Sequence, residues 1–270
     1  MHSPVLERCT TGAIAWHADP DLLDRHGILV AFSERTGGTS RGPWSSLDLA
    51  GHVGDDPGAV DANRELLLRA LDLDLARLTC AEQVHGMRIA DVGPAEAGAG
   101  NRAGTAPVPG ADALVTALPD TPLMLCFADC APVVLVATAP TRAIAVVHAG
   151  WRGVLGRLPG LAAAELAAKA GCDTSSLLAY VGPHICRECY EVGDDLAARF
   201  AESFGGSVVS QGRVDLGAAV SGSLRESGVS GERQVLLGLC TARMTDRFFS
   251  YRAEGTTGRH GALGALLSRA

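Results

Sequence analysis

Three residues of this chain have the types needed to hold a metal ion together: His85 in QVHG, Cys130 in FADCAPVV and His148 in VVHAGWRG. Between Cys130 and His148 the sequence is strongly apolar, and Pro140 and Thr141 interrupt it with a turn, so the stretch reads as a core hairpin. A tight hairpin centred there sets His148 across from Val133, with Cys130 three residues away at the same end. Strand spacings of about 5 Å bring such neighbours within reach of one ion. His85, beside Gly86 at the start of a short apolar run, supplies a third ligand. Two imidazoles and one thiolate suit zinc, and three protein ligands leave a position open for water or substrate, the pattern of a catalytic site. Zinc so held lowers the pKa of bound water to about 7.

Neighbouring residues fit around this trio. If Cys130 points into a pocket, strand alternation sends Cys126 and Ala128 the same way and Asp129 the other, unless the strand bends. Asp129 is therefore read as an orienting residue and not a ligand, with Gln83 as a second candidate for that role. In HAGWRG two glycines bracket Trp151 and Arg152 just before a helix, where backbone N–H groups and a guanidinium can meet an anion.

The same residues admit other chemistry. Cys130 and His148 alone could work as the thiolate–imidazolium pair of a cysteine hydrolase. Copper is the alternative ion: Met87 stands near His85 as an axial ligand, although the eight histidines include no HxH pair for a trinuclear copper cluster. A non-enzymatic, metal-stabilised binding protein is the fourth reading, and the three-ligand set argues against it because structural zinc takes four protein ligands.

The elements that must position these residues are legible in part. Ile28 to Phe32 is a strand leading into a glycine-rich turn that carries Arg35. Ala59 to Leu71 has helical spacing, whereas Gly93 to Gly110 is a long loop. Strands are predicted at Leu123 to Ala128, Pro132 to Ala137 and Ala143 to Val147, followed by one helix from Val154 to Ala170. A short strand lies within LLAYVG, helices begin near Asp194 and in VDLGAAVSGSLRES, and a closing strand ends the chain. No boundary falls in the long loop, since site residues lie on both sides of it, so residues 1–270 are read as a single domain.

At 270 residues, 47% of them hydrophobic, the chain can bury a large core without staples. Its formal net charge of -7 opposes binding to nucleic acid or an anionic membrane surface and favours a small-molecule partner. There is no signal-like start and no apolar run of spanning length, which points to a cytoplasmic protein. In that setting the eight cysteines are read as reduced thiols, and Cys186 and Cys189 as part of a turn with a buried Cys. The oligomeric state stays open between a monomer and a small homo-oligomer.

The stretches FSERTGGTS, HVGDDPGAVDANR, QVHG, GADALVT, ADCAPVVL, VHAGWRG, GPHICRECYEVG and FFSYRAEGTTGR occur in this order from Phe32 to Arg259. In them the chain resembles the YfiH family, also called the multicopper polyphenol oxidase or laccase-domain family, which includes bacterial purine nucleoside phosphorylases of that type. The resemblance implies an α+β fold, a single domain with mixed β-sheets packed face to face and flanked by helices. It implies zinc held by His85, Cys130 and His148, with a purine nucleoside and phosphate as partners. The activity implied is phosphorolysis of adenosine, inosine and methylthioadenosine to free base and ribose 1-phosphate, with some adenosine deamination. Arg35, Asn63 and Arg64 match family positions and become candidates for phosphate or ribose contacts. Two departures stand out: Asp48 replaces the family's Asn in SLDLAG, placing a carboxylate near the expected anion pocket, and GPHICRECYEVG adds Cys186 and Cys189.

Overall fold

A computed structural model of the chain describes residues 2–268. In chain order its first elements are β1 (Glu7–Thr11), β2 (Ile14–Ala18), α1 (Pro20–His26), β3 (Ile28–Ser33), α2 (Pro57–Ala70), β4 (Thr79–Cys80), β5 (Ile89–Asp91) and β6 (Ala113–Thr116). The central stretch contributes β7 (Leu123–Phe127), β8 (Ala131–Ala137), β9 (Ala143–Ala149), α3 (Trp151–Leu155), α4 (Leu158–Ala170) and β10 (Leu178–Val181). Then follow α5 (Asp194–Phe204), β11 (Val209–Ser210), β12 (Arg213–Val214), α6 (Leu216–Glu226), β13 (Gln234–Leu236), α7 (Tyr251–Glu254) and β14 (His260–Leu266).

Period-2 alternation explains how these strands assemble. Among the described residues there are two 6-stranded mixed sheets, ordered β1-β2-β3-β14-β7-β4 and β13-β10-β8-β9-β6-β5. On β8, Val134 and Val136 face one way and join Ile144 and Val146 of β9 against Val30, Phe32, Leu125 and Phe127 of the other sheet. Val133 and Leu135, one residue out of phase, face the other way, onto Ala162, Ala163 and Leu166 of α4 and Val220 and Leu224 of α6. The first sheet does the same: Leu29 and Ala31 turn from the sandwich interior to meet Leu67 and Leu68 of α2. Strands buried on both faces read as continuous apolar runs. The result is a single domain of mixed sheets packed face to face between helices, as the sequence led us to expect.

Two predicted details differ. Pro132, not Val133, faces His148, because the hairpin loop spans residues 138–142 and is centred on Pro140 itself. This one-residue shift places His148 and the positions two apart along β8 on the same side, so Cys130, two residues before Pro132, points where His148 does. The helix expected from Val154 to Ala170 is broken between α3 and α4, with Arg157 in the left-handed region at φ 64. Pro159 explains the break: lacking an N–H, it suits the first turn of a new helix and not the interior of a continuous one.

Candidate metal centre

His148 is the last inward-facing residue of β9, in phase with Ile144 and Val146, so the strand delivers its ring to the open end of the space between the sheets. Phe127, the last residue of β7, packs edge-on against that ring with centroids 5.4 Å apart. Cys130 follows three residues later, and His85 arrives on the loop between β4 and β5 with its backbone at φ 56. Ligand atoms of His85, Cys130 and His148 all lie within 4.8 Å of one another, and the two imidazoles meet edge to face with centroids 4.7 Å apart. His85 is exposed, Cys130 half-buried and His148 buried, so the trio has a solvent side.

One carboxylate that sequence reasoning left unassigned organises the trio. Asp112, fully buried just before β6, accepts hydrogen bonds from His148 Nδ1 at 2.8 Å and the His85 backbone N–H at 3.0 Å on one oxygen. Its other oxygen accepts from the N–H groups of Gly86 at 2.7 Å and Val84 at 3.2 Å. Asp112 therefore fixes the ring that β9 supplies and the left-handed loop that carries His85. With Nδ1 engaged, Nε2 is the nitrogen of His148 free to ligate. GADALVT carried the signal, an Asp directly ahead of an apolar strand, but its partners are 26 and 36 residues away and no spacing rule links them.

The local charges suit a cation. Burial alone would raise the Cys130 thiol, but His148 and His85 outweigh it and hold the pKa down to about 6. Burial likewise disfavours a charged His148, yet the Cys130 thiolate and Asp112 raise it to about 9. Asp112 is lowered: desolvation opposes ionisation, and the bonds from His148 and the loop amides win. Cys126 nearby behaves oppositely, since burial pushes its thiol up to about 12 and leaves it a neutral lining group. A Cβ added to Gly150 would stand 3.2 Å from Cys130 Sγ and 3.2 Å from the His85 ring, so glycine there keeps open the space on which the three donors converge. Donor chemistry, convergence and the kept space all fit a metal ion.

The trio opens into a cavity of about 320 Å³ also lined by His52, Gln83, Cys126, Ala128, Asp129, Ile185, Tyr190, Tyr251, Arg252 and Arg259. A second cavity of about 390 Å³ shares His52, Gln83 and Cys126 with it. Small-molecule sites have this size and this mix of apolar wall and few polar groups. Arg252 and Arg259 bring two positive charges to a wall that also holds the Asp129 carboxylate, and their guanidiniums donate to the Cys189, Glu191, Thr257 and Gly258 carbonyls. Desolvation, then the charges of Arg259 and Arg64, hold the pKa of His52 below its ordinary value.

Asp129 lies in the cavity wall and does not face away from it, because its backbone turns left-handed at φ 87 and ends the alternation of β7. Its carboxylate accepts from Thr241 and Ser250 hydroxyls, each at 2.7 Å, and from the Arg252 N–H at 2.6 Å, so it anchors the segment bearing Tyr251 and Arg252. Gln83 also lines the cavity and clamps both backbone groups of Cys126, at 2.8 and 2.9 Å.

The remaining sequence-predicted contacts do not line this cavity. Arg35 lies in a separate depression and directs its guanidinium to the Ser45 and Thr245 carbonyls and Glu254, over the Phe249 ring. Asn63 is buried and binds Ser40, Ser46 and Asp48 with its amide nitrogen and Thr39 with its oxygen. Arg64 lines the second cavity but donates to the Leu49 and Gly100 carbonyls. Asp48 is fully buried, accepting from the N–H groups of Ala50 and Arg259 on one oxygen while the other has no partner. Arg152 is exposed and stacks on Trp151 at 4.5 Å. Met87 lies over Gly156 and lines no wall of the cavity, so it is not placed as an axial ligand. His52, Tyr190, Tyr251, Arg252 and Arg259 were missed, although all five sit inside the quoted motifs.

Comparison with known proteins gives a consistent picture. Residues 29–266 match the family described as multi-copper polyphenol oxidoreductase laccase. Purine nucleoside phosphorylase SCO2081 of Streptomyces coelicolor is 40% identical over 239 residues, 87% of this chain and 93% of that protein. Adenosine deaminase RL5, from an unknown prokaryotic organism, is 32% identical over 234 residues, covering 83% of this chain and 88% of that one. The crystal structure of YlmD from Geobacillus stearothermophilus superposes with a TM-score of 0.88 at 31% identity, over 97% of this chain and 99% of the other.

Proposed function

Because the chain belongs to the multi-copper polyphenol oxidoreductase laccase family, the YfiH family, we propose that it is a zinc-dependent purine nucleoside phosphorylase with adenosine deaminase side activity. Adenosine, inosine and methylthioadenosine are its substrates, and its products are the free base with ribose 1-phosphate, or with 5-methylthioribose 1-phosphate from methylthioadenosine. The observation that carries this reading is the convergence of His85, Cys130 and His148 at the wall of a cavity that also holds two arginines. On this reading residues 1–270 act as one domain, in the cytoplasm, where the ligating thiol stays reduced.

His85, Cys130 and His148 would hold the ion, and when bound it supplies Lewis-acid polarisation of an oxygen or nitrogen beside it. Zinc fits the donor set best, with copper as the alternative. Breaking the sugar–base bond develops positive charge on the ribose, so phosphate must be held in line and the departing base must receive a proton. Arg252 and Arg259 take the phosphate role that the sequence suggested for Arg35, since they line this cavity and Arg35 does not; each spends one guanidinium nitrogen on backbone carbonyls, Cys189 and Glu191 for Arg252, Thr257 and Gly258 for Arg259, which leaves other N–H donors for an anion. Tyr190 and Tyr251 offer apolar faces for a purine ring. Asp129 positions Arg252 through its backbone, and Gln83 positions the strand end at Cys126. Deamination requires water, not phosphate, to reach the bound purine, which the same cavity allows.

A second reading rests on the depressed Cys130 and raised His148, the charge state of a cysteine hydrolase dyad. His85 within the same cluster, and the space kept by Gly150, favour the metal. The test is to incubate metal-loaded protein with adenosine, with and without phosphate, and separate the products. Adenine with ribose 1-phosphate only when phosphate is present, plus some inosine in either case, is expected. Untouched adenosine would reject the proposal, and activity in metal-free protein that one equivalent of alkylating agent abolishes would establish the dyad instead.

A further inference from the structure

Cys186 and Cys189 flank a single turn after β10, and Cys240 lies on the loop after β13. The Cys-Arg-Glu-Cys spacing alone says little, but the fold brings a third thiol to it: the three sulfurs lie within 4.8 Å of one another. All three are free thiols, two half-buried and one buried, so the cluster reaches solvent while being anchored in protein. Two segments hold it together. The Cys186 N–H donates to Cys240 Sγ at 3.2 Å. A parallel bridge pairs His184 with Cys240 through the backbone.

We propose that Cys186, Cys189 and Cys240 form a second metal site, which takes a thiophilic divalent ion such as zinc and leaves its fourth position to solvent. Sulfurs about 2.3 Å from a zinc stand roughly 3.8 Å from each other in a tetrahedral site, so little movement closes the cluster around an ion. Each thiol gives its proton to solvent as its sulfur–metal bond forms, and the Cys186 N–H aimed at Cys240 stabilises the resulting thiolate. Three thiolates around a divalent cation carry one net negative charge and the Glu188 carboxylate beside Cys186 adds another, with the Arg243 guanidinium next to all three groups, Cys186, Cys189 and Glu188, as the opposing cation. An ion there cross-links the β10 and β13 exits. Ile185 and Tyr190 on the first exit line the cavity, and Thr241 on the second holds Asp129, so the tie stiffens one wall of the first site.

Cobalt(II) separates the two sites because thiolate-to-cobalt absorption grows with the number of sulfur ligands. Full-length protein, purified reduced and loaded with cobalt, should retain about two ions per chain after desalting. Cys189→Ser and Cys240→Ser should each keep about one and lose more than half of the thiolate absorption. His148→Ala should also keep about one, with the strong absorption intact. The wild-type spectrum alone decides the matter should a variant fail to fold: absorption of a one-sulfur site only contradicts the proposal. So do a cobalt content of about one that Cys189→Ser leaves unchanged and a Cys186–Cys189 disulfide that forms in place of metal uptake.

Discussion

Asp112→Asn probes the proposed metal centre of His85, Cys130 and His148 without touching any of those three side chains. The carboxylate is fully buried and each of its oxygens accepts two hydrogen bonds, one oxygen from His148 Nδ1 and the His85 N–H, the other from Val84 and Gly86. Asparagine keeps the shape and turns one of these acceptors into a donor. If its NH₂ faces His148, the ring must place its proton on Nε2 and loses the lone pair that ligates. If the NH₂ faces Val84 and Gly86, their two part-buried N–H groups lose their acceptor and the loop holding His85 loosens. An unpaired buried donor costs about 1–3 kcal/mol, and removing the orienting partner of a metal-bound histidine weakens binding by roughly 10- to 100-fold. The two figures agree, since tenfold is about 1.4 kcal/mol. Zinc affinity measured by competition with a chromophoric chelator should fall within that range, and thermal unfolding of the metal-free protein separates this from general destabilisation. An affinity within about twofold of wild type would refute the orienting role assigned to Asp112.

Three other outcomes follow from the same structure. Gly150→Ala, at a backbone conformation any residue adopts (φ -73, ψ 169), should leave the fold intact while its Cβ crowds Cys130 and His85; a cost of about 1–3 kcal/mol in metal affinity is expected, read by the same competition assay. In metal-free protein, peptide-resolved alkylation of Cys130 should rise with pH through about 6, far below the ordinary thiol value of 9.0, because the thiolate is the reactive form; a midpoint near the ordinary value would contradict the His148 and His85 contacts. Burial pushes the Asp48 carboxyl from 3.8 up to about 7 against the pull of the Arg259 and Ala50 amides, so the native state binds the proton more tightly than the unfolded chain does. Wild-type stability should therefore decline as pH rises between these two values, and Asp48→Asn should gain on it by an amount that grows to a few kcal/mol, on the order expected for such a shift, in unfolding melts across pH; a gain independent of pH would argue against it.

Local pattern made the hairpin and the clustering of His85, Cys130 and His148 legible: long apolar strands ending in Cys and His leave those residues little to do but meet at the sheet's open end. The register was off by one because a loop centred on a residue and one centred on a bond look alike in sequence. Asp129 escaped the alternation argument because its left-handed turn is set by partners on residues 241–252, distant in the chain. The same distance hid Asp112, Arg252, Arg259 and the third cysteine of the second cluster. Arg35, Asn63 and Arg64, which the sequence offers as phosphate or ribose contacts, donate in the structure to backbone carbonyls of neighbouring loops, a use of polar side chains that the sequence does not distinguish from ligand binding. Among the described residues no helix is long and apolar enough to cross a membrane.

The most direct test of the account follows the two reactions side by side in His148→Ala, with adenine release in phosphate and inosine formation measured in the same zinc-loaded preparation. The loss of His148 takes one of three ligands from the ion and should abolish both reactions together. Loss of one with the other retained would show that the two chemistries do not share this centre.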